Sequence, residues 1–429
     1  MKKEYRIILY TSIFLLCVVA SIILVVKKSN SVYEEESKPK VVKHKSMLSM
    51  NLEQTAGSGD YKTVTQSSWP TEGYKFNAEL SKCENGSTLS WDDTKKAVIV
   101  SGNLSDKCYV YFDIYQPTLA EYIKSQYTGT QGENNIYYHD SDLANGAGDN
   151  SYRYAGANPN NFVCFGTTES PCPTDNLYRI IGVFGENYHG VTGKQLVKLI
   201  KYDYMTTDEL GTDGDYSQTY KEWGMDSTYK GTYGDGERIG VYYWNYKATG
   251  SATNTWSTSL LNKTNLNTNF INNIGTTWAN KIATVTWKVG GNTWANIGTK
   301  TSSVAYTNEI TNPVTTNTTD NATTYSAKIG LMYVSDYGFA ASPDAWTLTM
   351  SSYNNTTATN NNWMYMGLYE WTISRTADVS YSAFDVDGGG NVGNNGVNDY
   401  FGVRASFNLE SSVSYVSGSG SMSDPIVIN

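Results

Sequence analysis

Residues 177–184 read LYRIIGVF and residues 195–202 read QLVKLIKY. A short, nearly continuous apolar run is the mark of a strand buried on both faces. Leu177–Phe184 is therefore a buried strand, and Gln195–Tyr202 is its antiparallel partner, with the turn near residues 187–193. Downstream, Leu266, Phe270, Ile274, Trp278 and Ile282 recur every four residues, which predicts a helix over 265–283. A strand IGLMYVSDYGF (329–339) and a final set of strands over 367–428 follow. Strands that rarely alternate with helices exclude a doubly wound parallel sheet and favour a mixed α+β domain over 115–429.

Working back toward the N-terminus, Thr118–Gln126 predicts a short helix, with Thr118 and Glu121 forming a capping box. Residues 71–114 hold two β-rich runs, Ala97–Val100 and Cys108–Phe112, and read as a small all-β module. Residues 27–70 show neither a helical nor a strand period and read as a flexible stalk. Residues 7–26, IILYTSIFLLCVVASIILVV, are uncharged and flanked by Lys2, Lys3, Arg6, Lys27 and Lys28. At ~1.5 Å per helical residue this run spans about 30 Å, which predicts an uncleaved transmembrane anchor in the lipid bilayer with residues 1–6 as a cytoplasmic tip. A cleaved signal peptide is the rival reading.

Cys83, Cys108, Cys164 and Cys172 fall into two local pairs. Of three connectivities, 83–108 with 164–172 is favoured; four reduced thiols are the alternative. Disulfides would place the C-terminal region outside the cell, on a single-pass membrane protein.

The whole chain carries 32 Lys and Arg against 41 Asp and Glu, a net charge of −9, and only 17% of residues are charged. A general nucleic-acid binder is excluded, because phosphate binding needs clustered cations. Three histidines disfavour histidine-rich metal sites and most histidine catalysis. His139 and His189 lie near Ser and Tyr, but no nucleophile motif surrounds them. No catalytic residue, metal ligand or cofactor is assigned.

Six phrases occur in order over 150–429: SYRYAGANPNNFVCFG, NLYRIIGVFGENYHG with VKLIK, WSTSLLNKTNLN, KIGLMYVSDYGFAASPDAW, NWMYMGLYEWTISR and FGVRASFNLESSVSYVSGSGSMSDPIVI. Together they resemble a domain family of unknown function in surface proteins of gut-dwelling, low-GC Gram-positive bacteria. The resemblance implies a fold similar to C-type lectins and formylglycine-generating enzymes. The latter use a late cysteine pair, and this chain has no Cys after Cys172, so that activity is not carried over. In some C-type-lectin-like surface proteins, codons near the C-terminus are diversified to Asn, Ser, Gly, Asp and Tyr, and 378–404 is rich in those residues.

The expected binding face is Tyr381, Asp385, Asp387, Asn391, Asn394, Asn395, Asn398 and Tyr400, a composition like that of antibody loops. Asp385, Asp387, Asn391 and Asp399 also raise a calcium site, against which a hairpin turning at Asp387-Gly388 is favoured. The alternating aromatics Trp363, Tyr365, Tyr369 and Trp371 read as mostly core on one strand. Arg375 and Arg404 could each grip a carboxylate, or pair with Asp336, Glu370 or Asp378. The expectation is a membrane-anchored surface binding or adhesion protein with an extracellular protein or glycan ligand. A glycan- or wall-acting hydrolase and a structural envelope component are the alternatives.

Overall fold

The computed structural model describes residues 48–429 except 66–67, 71–72, 221–228, 237, 291 and 314–321. It divides at Gln116/Pro117 into two compact units.

In the first unit, Leu48–Glu53 pairs parallel with Cys108–Ile114 and antiparallel with Tyr61–Val64. Tyr74–Phe76 and Lys82–Cys83 also pair with Cys108–Ile114, and Thr88–Asp92 forms a hairpin with Ala97–Ser101. Met50, Leu52, Val110 and Phe112 make a small core. Cys83 and Cys108 stand directly opposite each other and are bridged. The stalk expected over 27–70 is thus corrected for 48–53 and 61–64, which are sheet. Polar residues concealed the strand. Asn51 and Glu53 are buried but satisfied, Asn51 by the carbonyl of Val110 (3.2 Å) and Glu53 by the amides of Gly59 (3.1 Å) and Ile114 (2.9 Å).

The second unit, Pro117–Asn429, begins with the helix Leu119–Ser125, capped reciprocally by Thr118 and Glu121. Its larger sheet runs in the order 329–330, 406–408, 196–201, 177–184, 151–154, 136–139, with 162–164 also on 177–184. Leu177–Phe184 is buried at every position, because both faces of the sheet are covered. Gly182 allows the closest approach: a Cβ there would lie 2.3 Å from the Tyr152 carbonyl oxygen. Cys164 and Cys172 are bridged.

The smaller sheet carries the candidate site. Its strands are β1 (Tyr216–Thr219), β2 (Gly240–Tyr243), β3 (Glu370–Arg375), β4 (Ser382–Val386), β5 (Val392–Gly396) and β6 (Tyr400–Gly402), in the order β1-β2-β6-β3-β4-β5.

Several expectations are overturned. The helix predicted over 265–283 starts at Leu261, turns out of helical geometry at Gly275 (φ 76°) and ends at Ala279. The strand expected over 329–339 is two residues long, and Val334–Ala340 is a helix whose N-terminus is closed by Asp336. The aromatic run expected from Trp363 becomes a strand only at Glu370, because Gly367 takes φ 90° and breaks the extended path. The anchor at 7–26 lies outside the described residues. Among the described residues no helix is long and apolar enough to cross a membrane. The transmembrane helix, the lipid-bilayer partner and the single-pass membrane location thus find no support in the described residues and are carried no further.

Buried charges hold the second unit in register. Lys198 pairs with Asp336 at 2.6 Å, and Arg153 with Asp149 at 2.7 Å. Arg404 grips both oxygens of Glu370 at 2.8 Å. Arg179 lies between the rings of Phe162 and Trp363 and donates to Asn161 and Pro159. Each of these four cations has found a partner for its buried charge.

Candidate functional site

The hairpin of β4 and β5 forms where local chemistry closes a turn. Asp387 Oδ1 accepts the amides of Gly389 (2.8 Å) and Asn391 (2.9 Å), and Oδ2 accepts Asn391 Nδ2 (3.0 Å). Gly390 sits at φ 96°, a conformation that favours glycine. The Asp387 oxygens that a calcium site would need are thus used by the turn, in the hairpin that the sequence reading favoured. Among the described residues no group of three or more His, Cys, Asp or Glu could hold a metal.

The expected binding residues divide. Asn391 Oδ1 accepts the amide of Asn354 (3.1 Å), and Asn394 Nδ2 donates to Ser382 Oγ (3.1 Å). Asp387, Asn391 and Asn394 therefore have structural roles. Exchange at these three positions would open the turn or its packing. Asn398 and Tyr381 are exposed, Tyr381 by 60%; Tyr400 is half-buried, its ring 5.5 Å from that of Tyr243.

Asp385 differs from the rest. It is 0% exposed in the middle of β4. Asn395 Nδ2 donates to its Oδ1 (3.0 Å), but its buried Oδ2 has no hydrogen-bond partner. Burial pushes the carboxyl up to about 7, Asn395 opposes this, and the Asp387 and Asp399 charges add to it. Cross-strand neighbours share a face, so Trp371 on β3 and Gly393 on β5 flank Asp385. Gly393 is half-buried, and a methyl built on it would lie 3.3 Å and 3.5 Å from the two carboxylate oxygens. The bare glycine lets the β5 backbone lie close over the covered acid. Aromatic rings lead away from it: Trp371 to Phe401 (4.5 Å), then Phe401 to Tyr369 (5.0 Å), which is 40% exposed.

Other titratable groups are engaged in packing. His139 is buried against Phe339 and Trp346, and burial holds it well below the usual histidine range. His189 accepts the Val191 amide on Nδ1 (3.1 Å), and its Nε2 lies 3.1 Å from the Phe184 carbonyl. Of the acids offered to Arg375 and Arg404, Asp336 is taken by Lys198 and Glu370 by Arg404.

Sequence reasoning placed Asp385 in a polar loop face and overlooked Gly393. A signal was available: Asp385 alternates with Phe384 and Val386 on a strand whose other residues are apolar or small.

Comparison with family models, with curated proteins and with solved structures returns no match for this chain. Nothing therefore ties it to adhesion, to hydrolysis of glycan or wall, or to an envelope scaffold. Those roles, with their extracellular protein or glycan ligand, are set aside.

Proposed function

We propose that residues 117–429 form a non-catalytic binding domain for a small organic ammonium ion, held at Asp385. The observation that carries this is a buried carboxylate with one unpartnered oxygen, packed under Gly393, where no side chain stands. An unpaired polar atom at such a position costs free energy that a charge-assisted donor recovers. The ring row of Trp371, Phe401 and Tyr369 adds the apolar and π surface that suits an alkylated cation. The engagement of His139, His189, Lys198 and Glu370 in packing supports binding rather than turnover. The C-type-lectin-like kinship of 150–429 belongs to the same proposal; the mixed sheet-and-helix build supports it, and it carries no activity.

The test is calorimetric titration of the protein with ethylammonium and tetramethylammonium, with tert-butanol as the neutral control. Saturable binding of a cation at pH 8 is expected, weakening by about tenfold per pH unit below 7 as the proton competes for Asp385. Asp385→Asn abolishes it, and Gly393→Ala, whose methyl crowds both carboxylate oxygens, weakens it. Equal binding of the neutral control, or unchanged binding by Asp385→Asn, overturns the proposal.

A further inference from the structure

Arg375, the last residue of β3, stands apart from every other buried cation described. It is 0% exposed, yet no carboxylate pairs with it and no aromatic ring lies under it among the described residues. Among the described residues its one side-chain hydrogen bond runs from Nη1 to the Thr376 carbonyl at 3.3 Å. Nε and Nη2 are buried without a partner. These two nitrogens share one edge of the guanidinium, the edge that offers two parallel N–H groups to a planar acceptor.

The surroundings explain why no acid among the described residues pairs with it. Ser374, the neighbour on β3, gives its hydroxyl to Glu309, and Glu309 also accepts the amides of Val334 (3.0 Å) and Ser335 (2.9 Å). Glu309 is thereby spent on the Ser374 hydroxyl and these two amides. Across the sheet, Arg375 is opposite Ala383, and Ala383 is opposite Asn395. Neither can neutralise a cation. Arg375 also sits at the root of the turn 376–382, in which Asp378, Ser380 and Tyr381 are exposed, so its cover is close to solvent. Asp378 forms no ion pair with it.

We propose that the Nε–Nη2 edge of Arg375 is an oxyanion site that takes a small carboxylate, held by two parallel hydrogen bonds at the root of the 376–382 turn. A buried guanidinium without a counter-charge is costly, and a carboxylate supplies both the charge and the paired geometry. Burial alone, unopposed by any acid, draws the guanidinium down to about 10, as expected for a cation still waiting for its partner. This site is separate from Asp385 and does not rest on ammonium binding there.

The experiment follows thermal unfolding of the protein in acetate, formate and inorganic phosphate, with chloride at matched ionic strength. Wild-type protein is expected to gain stability saturably with acetate or formate. Arg375→Lys, which keeps a charge but loses the two-donor edge, binds at least about tenfold more weakly. Arg375→Met loses the response and, without added anion, melts no lower than the wild type, because it removes an uncompensated charge. In the wild type, the Arg375 Nε–H signal in ¹⁵N spectra shifts with acetate and its exchange slows. A response that is the same in chloride, or the same in Arg375→Met, overturns the proposal. A saturable gain with phosphate alone overturns the carboxylate assignment. If Arg375→Met fails to fold, an Nε–H signal indifferent to acetate overturns it as well.

Discussion

Asp385→Asn should stabilise the protein, by an amount that grows as pH rises from 4 to 7. In the folded chain burial raises the Asp385 carboxyl from the usual 3.8 to about 7. The folded form therefore holds this proton more tightly than the unfolded form does. The contribution of Asp385 to stability is fully present below pH 3.8 and is lost as pH rises through 7. At ~1.4 kcal/mol per pH unit the full loss is about 4 kcal/mol. No discount for solvent screening applies, since the side chain is fully covered. The amide variant keeps an acceptor for Asn395 and never ionises, so it escapes the loss. Urea unfolding of both proteins, followed by tryptophan fluorescence from pH 4 to 8.5 at fixed ionic strength, gives the difference directly. It should be near zero at pH 4 and grow by about 1.4 kcal/mol per pH unit until pH 7. Parallel stability curves across the range would show that the carboxylate is compensated in the fold, and would refute the reasoning from its unpartnered oxygen.

Three further outcomes follow from the packing. Arg404→Met leaves Glu370 buried without its partner and should cost about 3–5 kcal/mol, part of which a second substitution, Glu370→Leu, restores; urea midpoints of the double-mutant cycle report this. Gly182→Ala sets a methyl against the Tyr152 carbonyl and should cost about 1–3 kcal/mol, with hydrogen exchange rising over 151–154. Joint replacement of Cys83 and Cys108 by Ala opens a loop of sequence separation 25 and should cost the first unit about 3–4 kcal/mol, seen as protease cleavage within 48–114 while 117–429 stays intact.

Where chain-local signals were strong, the sequence was legible. Leu177–Phe184 is a strand because an unbroken apolar run can be buried on both faces, and Leu196–Lys201 lies beside it. The Thr118–Glu121 box and the turn at Asp387 are local hydrogen-bond patterns, complete within a few residues. Legibility failed where a distant partner decides. Met50 and Leu52 make a strand only because Val110 and Phe112 complete their core. Residues 334–340 have the composition of a buried strand but form a helix, with Asp336 closing the first turn while pairing with Lys198.

Composition, the apolar strand pair and the turn chemistry were determined by the sequence itself, because each depends on residues near one another along the chain. The fate of the charges was decided by the tertiary structure. Sequence offered Asp336, Glu370 and Asp378 equally to Arg375 and Arg404. Folding gave Glu370 to Arg404 and Asp336 to Lys198, and left Arg375 with no acid among the described residues. It also took Asp385 from a polar loop face into a covered strand, with one oxygen unpartnered. Ion pairing depends on separations of a few ångströms between residues far apart in the chain, and only the packed fold sets those separations.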